Sequence, residues 1–154
     1  ISLAIEFPNS DVQSIDISEK AINVAKINSE KFHIKNISFQ KLNFLKTDMK
    51  TFHNFDLLIS NPPYIPKKDI GLLMPEVRNF EPHNALTDNY DGLEFYRKFS
   101  SDLPYILNNN GIGIFEVGLR PHPYDAKRIF NKIGKSVRLL KDYNGDDRLL
   151  IVKL

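Results

Sequence analysis

The apolar positions of this chain change period several times, and each change marks an element. Residues 1–7, ISLAIEF, fit the end of a helix stopped by Pro8. VQSIDI at 12–17 reads as a short strand. Ser18 with Glu19 behind it suits a helix start, and Ala21, Ile22, Ala25 and Phe32 can share one helical face. ISFQKL at 37–42 alternates like a strand. FDLLIS at 55–60 is an apolar run too short for a core helix and predicts a buried strand. A long loop punctuated by prolines follows over 61–90.

Asp91 or Gly92 then opens a second long helix, with Leu93, Tyr96, Phe99, Leu103 and Ile106 at helical spacing. Pro104 is expected to kink that helix or end it early. DLPYILNNNG at 102–111 predicts a solvated loop, and GIGIFEVG at 111–118 a strand. PYDAKRIFNKI at 123–133 is a helix ending at Gly134. SVRLLKDY and RLLIVKL close the chain as two strands around the turn NGDD.

Strands alternating with helices argue for an α/β sheet, mostly parallel, with helices on both faces. The closing pair must be antiparallel, because a parallel pair needs a crossover. In such sheets ligands bind outside the carboxyl ends of the strands. Asp16 and Asn61 both fall at predicted carboxyl ends, which makes them the first candidates for chemistry.

Composition narrows the picture without redirecting it. With 154 residues, 42% hydrophobic and 26% charged, there is room for one domain with a sizeable core. The net charge is +2, from 21 basic and 19 acidic side chains, so no nucleic-acid or membrane-surface partner is demanded. No apolar run approaches the roughly 20 residues of a membrane span. There is no basic leader with a cleavage site at the start ISLAIEFPNSD. The absence of cysteine excludes disulfides and thiolate metal sites and fits a reducing compartment, the cytoplasm. Four scattered histidines lack ligand spacing, so no metal is expected. The first residue is Ile rather than Met, in an apolar segment, which reads as a fragment or a processed chain.

The chemistry-bearing residues each have a plain reading beside the functional one. Asp16 can accept hydrogen bonds from two ribose hydroxyls, or it can cap the helix that follows. Asn61-Pro62-Pro63-Tyr64 is more specific. The Asn carboxamide is uncharged and offers an acceptor, Pro62 keeps a carbonyl while lacking an N–H, and the prolines restrict the residues before them. Two acceptors held close together suit a substrate –NH2 group, with Tyr64 as a wall; the alternative is a proline-rich turn. Arg78, Glu81 and Pro82 lie in the loop RNFEPHNAL, which is either functional or simply solvated. Glu116 is a charge inside the apolar run GIFEVG, so it sits near a strand end or has a function. DYNGDDR at 142–148 reads as a charged turn.

Taken together, an acid after an early strand and N-P-P-Y after a later one resemble class I S-adenosylmethionine-dependent methyltransferases acting on amide or amine nitrogen. SNPPYIP followed by FEPHNAL, DGLEFYR, GIGIFEVG and DYNGDDR resembles, in order and across nearly the whole chain, the N5-glutamine methyltransferases of peptide chain release factors. N-P-P-Y alone is shared with adenine-N6 and guanine-N2 nucleic-acid methyltransferases. FEP and the terminal D-x-x-G-x-x-R pattern narrow the resemblance.

The resemblance implies a Rossmann-like methyltransferase sheet and S-adenosyl-L-methionine as cofactor. It implies a release factor as protein substrate, with neither a membrane nor direct nucleic-acid binding required. Asn61 and the Pro62 carbonyl would be catalytic, binding the glutamine amide together with Pro63 and Tyr64. Asp16, Asn43, Phe44 and Asn61 would hold the cofactor. Asn43 stands where the family usually has an acid; its carbonyl can still accept from the adenine amino group, with Asp48 as a backup of poorer spacing. The family's N-terminal helical domain, first strand and glycine-rich loop would precede ISLAIEF, so residues 1–154 are expected to be a partial catalytic domain missing its first, central strand, binding cofactor poorly or not at all and inactive alone. Two other readings remain open: an amino methyltransferase acting on nucleic acid, and an inactive fragment keeping only the fold.

Overall fold

The computed structural model describes all residues, 1–154. They form two compact units, Ile1–Asp48 and Met49–Leu154.

The first unit contains α1 (Ser2–Glu6), β1 (Val12–Asp16), α2 (Glu19–Lys31) and β2 (Ile37–Lys41). β1 and β2 pair in parallel, from Val12 opposite Ile37 to Asp16 opposite Lys41, and α2 is the crossover between them. The expected helix start is present: Ser18 Oγ accepts from the Ala21 N–H at 3.3 Å. Asn36, just before β2, fastens the other end. Its Nδ2 donates to the carbonyls of Ala4, Phe7 and Ser10 at 3.1, 3.2 and 3.1 Å. The inward face of α2 is narrower than its sequence suggests. Ile22 and Ser29 are buried and Ala25 is half-buried, whereas Ala21 and Phe32 are exposed. Phe32 follows the last helical residue as its C-cap, off the helical path that the periodicity assumed.

The second unit begins with a 3-10 turn at Met49–Thr51 and β3 (Phe55–Ser60). The region 61–90, expected as loop, holds a second 3-10 segment (Lys67–Leu72), α3 (Pro75–Phe80) and α4 (His83–Leu86). Then come α5 (Glu94–Ile106), β4 (Leu107–Glu116), α6 (His122–Phe130), β5 (Ser136–Lys141) and β6 (Asp147–Lys153). The sheet order is β3-β4-β6-β5. β3 and β4 are parallel, while β6 is antiparallel to both β4 and β5, so the closing pair is as expected and β6 lies inside it.

Three expectations for this unit are corrected. β3 has no buried side chain, and Leu57 and Ile59 are 38% and 49% exposed; within residues 1–154 it is one of the two edge strands of its sheet, with β4 as its neighbour. α5 runs through Pro104 to Ile106. The missing N–H falls in the last turn, where one lost bond ends little. The stretch 102–111 is therefore the end of α5 and the start of β4 rather than a solvated loop, and Asp102, Leu103, Ile106 and Leu107 are buried. The apolar face of α5 meets the sheet through Tyr96, Phe99, Leu103 and Ile106. Phe115 of β4 is the centre of that core: its ring stacks on Phe130 at 5.0 Å between centroids and lies 4.7 Å from Phe99.

Candidate functional site

The first cluster of candidates lies in the first unit. β1 and β2 end side by side, and Leu42 N–H donates to the Asp16 carbonyl at 2.9 Å. Asp16 is exposed at the end of β1, and its Oδ1 accepts from the Ser18 N–H at 2.7 Å. The turn reading of Asp16 is thus correct as far as it goes. It uses one of the roughly four lone-pair sites of a carboxylate, which leaves acceptors for a pair of hydroxyls. Asn43, half-buried, opens the turn after β2; its carbonyl accepts from the N–H groups of Lys46 and Thr47 and from Thr47 Oγ1. Phe44 is next to it, half-buried.

The second cluster follows β3 in the second unit. Asn61 directly continues Ser60, the last residue of β3, which is opposite Phe115 of β4. Pro62 is buried, Pro63 and Tyr64 are half-buried, and Asn61 is exposed. The segment is held by backbone bonds at 3.0 Å from Ile65 N–H to the Leu86 carbonyl and from Lys67 N–H to the Tyr90 carbonyl. Asn61, Pro62, Tyr64 and Ile65 then line a hollow of about 130 Å³ with Glu81, Ala85 and Leu86. Glu81 from the FEP stretch therefore faces the same space as Asn61.

Tyr64 is fixed at both ends. Its hydroxyl donates to Glu116 Oε1 at 3.2 Å, at the carboxyl end of β4. Burial, and then the charge of that carboxylate, push its phenol pKa up, so it stays a donor. Tyr96 from α5 donates to the Glu116 carbonyl at 2.6 Å. Glu116 is the last residue of β4, so the strand-end reading of it holds, and its side chain receives the Tyr64 hydroxyl. On the backbone side, Tyr64 is backed by Gly92, where a β-carbon would stand 2.3 Å from the Tyr64 carbonyl oxygen. Gly92 has φ +80°, the left-handed region that favours glycine.

Sequence reasoning missed what builds this backing. Asp88 organises the turn before α5: Oδ1 accepts from the N–H groups of Tyr90 and Gly92, and Oδ2 from Glu94. Asp91 accepts from the Leu93 N–H and pairs with Arg97 at 2.7 Å. An Asp followed four residues later by Gly in TDNYDG was the available signal. Of the charged terminal turn, Arg148 Nε reaches Asp142 Oδ2 at 3.4 Å, and Asp147 accepts from Tyr124 at 2.9 Å. Only the first of these lies within the turn: Tyr124 comes from α6, and Arg148 Nη1 also donates to the Val117 carbonyl just past β4 at 3.4 Å, so the turn is tied to the rest of its unit.

Known proteins bear on this arrangement. A family model described as a methyltransferase domain matches residues 1–102. A release factor glutamine methyltransferase of Fusobacterium nucleatum is 40% identical over 153 residues, 99% of this chain and 43% of that protein. One of Bacillus subtilis is 36% identical over 151 residues, 97% of this chain and 52% of that protein. The chain spans about half the length of these relatives. Among solved structures, a methyltransferase from Pyrococcus furiosus superposes with TM-score 0.68 at 20% identity, covering 99% of this chain and 66% of that one. A release factor-specific protein-(glutamine-N5) methyltransferase from Alicyclobacillus acidocaldarius gives 0.52 at 24% identity, covering 99% and 87%. The fold is a methyltransferase-like α/β fold. The chain belongs to the methyltransferase-domain family. No helix is long and apolar enough to cross a membrane.

Proposed function

We propose that this chain is the catalytic part of an enzyme that moves a methyl group from S-adenosyl-L-methionine to the side-chain amide nitrogen of a glutamine in a peptide chain release factor. The observation that carries the reading is the hollow lined by Asn61, Pro62 and Tyr64 at the carboxyl end of β3. The names of the relatives, at 36–40% identity over almost all of this chain, support the choice of glutamine and release factor. The reading carries a cytoplasmic location, where translation is terminated.

Asp16, Asn43 and Phe44 are the residues that would hold the cofactor. The acceptor capacity of Asp16 beyond its Ser18 bond suits ribose hydroxyls, and the Asn43 carboxamide can accept from an amino group. When bound, S-adenosylmethionine supplies a methyl group carried on a positively charged sulfur.

An amide nitrogen is a poor nucleophile because its lone pair is delocalised into the carbonyl. Asn61 Oδ1 and the Pro62 carbonyl accept hydrogen bonds from the two amide N–H groups and so set the orientation of that lone pair; one of those protons is released to solvent once the N–C bond has formed. The two acceptors also stabilise positive charge as it develops on nitrogen, without reorganising. Tyr64 limits the volume on one side. Catalysis by these residues is positioning and electrostatics.

The test is label transfer from radioactive cofactor by the full gene product, offered release factor, ribosomal RNA and DNA in parallel. Label on a release-factor glutamine is expected. Label on nucleic acid with none on protein overturns the reading. In the same assay Asn61→Ala should raise the barrier by about 2–4 kcal/mol, the range for one preorganised polar partner. Unchanged turnover would remove Asn61 from its role.

A further inference from the structure

We propose that His122 is a positioning residue for Tyr64, clamping together the two glycine surfaces that hold the tyrosine in the amide-binding hollow. The proposal rests on the reading of Asn61–Tyr64 as an amide site.

His122 is the first residue of α6 and is buried, 8% exposed. Its Nδ1 accepts from the Gly118 N–H at 3.1 Å, and its Nε2 is 3.0 Å from the Gly92 carbonyl. A carbonyl only accepts, so Nε2 carries the proton and the ring is the neutral Nε2–H tautomer. Burial also holds its pKa below the ordinary 6.5, which keeps it neutral.

Both partners of His122 touch Tyr64. A β-carbon on Gly92 would collide with the Tyr64 carbonyl oxygen, and one on Gly118 would stand 3.1 Å from Tyr64 Cδ2. One glycine therefore backs the tyrosine main chain and the other its ring. The imidazole bridges them, and its own ring lies 5.8 Å from that of Tyr64 and 5.1 Å from that of Tyr96. Tyr64 and Tyr96 in turn both donate to Glu116. The turn before α5, the end of β4 and the start of α6 thus converge on one side chain of the hollow. A buried histidine serving only stability would not need both hydrogen bonds to end on the two glycines in contact with Tyr64.

A carboxamide carries an acceptor and a donor at nearly the separation of the two imidazole nitrogens, so His122→Gln can keep both bonds. His122→Leu keeps volume and loses both. The probe is N-acetyl-glutamine methylamide, titrated by NMR into the chain while the Asn61 side-chain amide and the Tyr64 ring signals are followed. Wild type and His122→Gln are expected to bind alike. His122→Leu is expected to bind roughly three- to ten-fold more weakly, as for loss of one or two net hydrogen bonds, with its Tyr64 ring signals displaced. Equal binding by His122→Leu with unmoved Tyr64 signals overturns the proposal.

If His122→Leu does not fold, the imidazole nitrogen shifts of wild type and the Tyr64 signals of His122→Gln decide. A protonated Nδ1, or Tyr64 displaced despite an intact carboxamide clamp, also overturns it. Asn61→Ala separates the two claims. If neither wild type nor Asn61→Ala binds the probe, the amide-site reading falls, and the Tyr64 signals alone judge the clamp.

Discussion

The two units of this chain are built to different standards. Within residues 1–48 only Ala4, Ile22 and Ser29 are buried, and Ile5, Phe7, Val24, Ile27 and Phe32 are each at least 50% exposed. Its sheet has two strands. The second unit buries Tyr96, Leu103, Phe115, Val117, Phe130, Leu150 and Val152 almost completely, on a four-stranded sheet. Hydrophobic stabilisation scales with apolar area removed from water, and two strands with little cover are marginal alone. The proposed chemistry divides along the same line. Asn61, Pro62 and Tyr64 are attached to the well-packed unit, whereas Asp16, Asn43 and Phe44 stand on the sparse one. On the proposed reading the amide end is preorganised, while the cofactor end stands on the part of the chain with fewer buried side chains.

The largest test of that contrast is a pair of core truncations. Phe115→Ala removes a fully buried ring that touches Phe99 and Phe130 and should cost about 3–5 kcal/mol. Ile22→Ala should release the amide protons of α2, β1 and β2 while those of β4 and β6 stay protected. Residue-resolved hydrogen exchange reads both. Protection lost from β4 and β6 in Ile22→Ala would mean that one cooperative unit had been mistaken for two.

Next in size is a comparison of two glycines inside the second unit. Gly92 and Gly145 have φ +80° and +87°, so alanine at either should cost about 1–2 kcal/mol for the left-handed backbone. At Gly145 there is open space, but at Gly92 the new carbon meets the Tyr64 carbonyl. Gly92→Ala should therefore lower the urea midpoint clearly further than Gly145→Ala. Equal midpoints would show that Tyr64 is not held rigidly, and the claim of a preorganised amide end would go with it.

His122 gives a pH test of the same rigidity. Burial lowers its folded pKa, partly offset by its bond to Gly92 and by the charges of Asp125, Asp88 and Asp91. The unfolded chain then binds the proton more readily than the folded one. The contribution is fully present above the ordinary value of 6.5 and is lost as pH falls through the lower folded pKa. Urea midpoints should fall over that window in wild type and fall less in His122→Gln. Parallel curves would mean that the imidazole is more accessible than its bonds imply.

How far the sequence reached also differs between the units. The longer elements of both, a mostly parallel sheet and the antiparallel closing pair were readable, because periodicity and turn residues are local signals; α3 and α4, short helices inside the proline-rich stretch 61–90, were not. FDLLIS reads as buried because an apolar run signals burial, whereas within residues 1–154 β3 has a neighbour on one side only, and strand order is a non-local property. Pro104 misled because its effect depends on how many helical residues follow it, here two. Asn61 to Tyr64 stood out because four uncommon choices sit together. His122, Gly92 and Gly118 did not: their relation to Tyr64 exists only once three separated segments meet, and a lone histidine or glycine carries no spacing to betray it.

The smallest predicted effect probes the sparse unit directly. Ser18 Oγ caps α2 through a rather long 3.3 Å bond from Ala21 N–H, so Ser18→Ala should cost about 0.5–1 kcal/mol, the lower part of the capping range. The Asp16 bond to the Ser18 N–H uses backbone and survives the change, so the carboxylate keeps its place. The effect should be confined to exchange at the first turn of α2, because few buried contacts of that helix can pass it on. In the well-packed unit a change of this size would appear alike at every amide that exchanges only through global unfolding. Finding Ser18→Ala felt equally at Leu150 and Val152 would therefore argue that the first unit, despite its thin core, unfolds only together with the second.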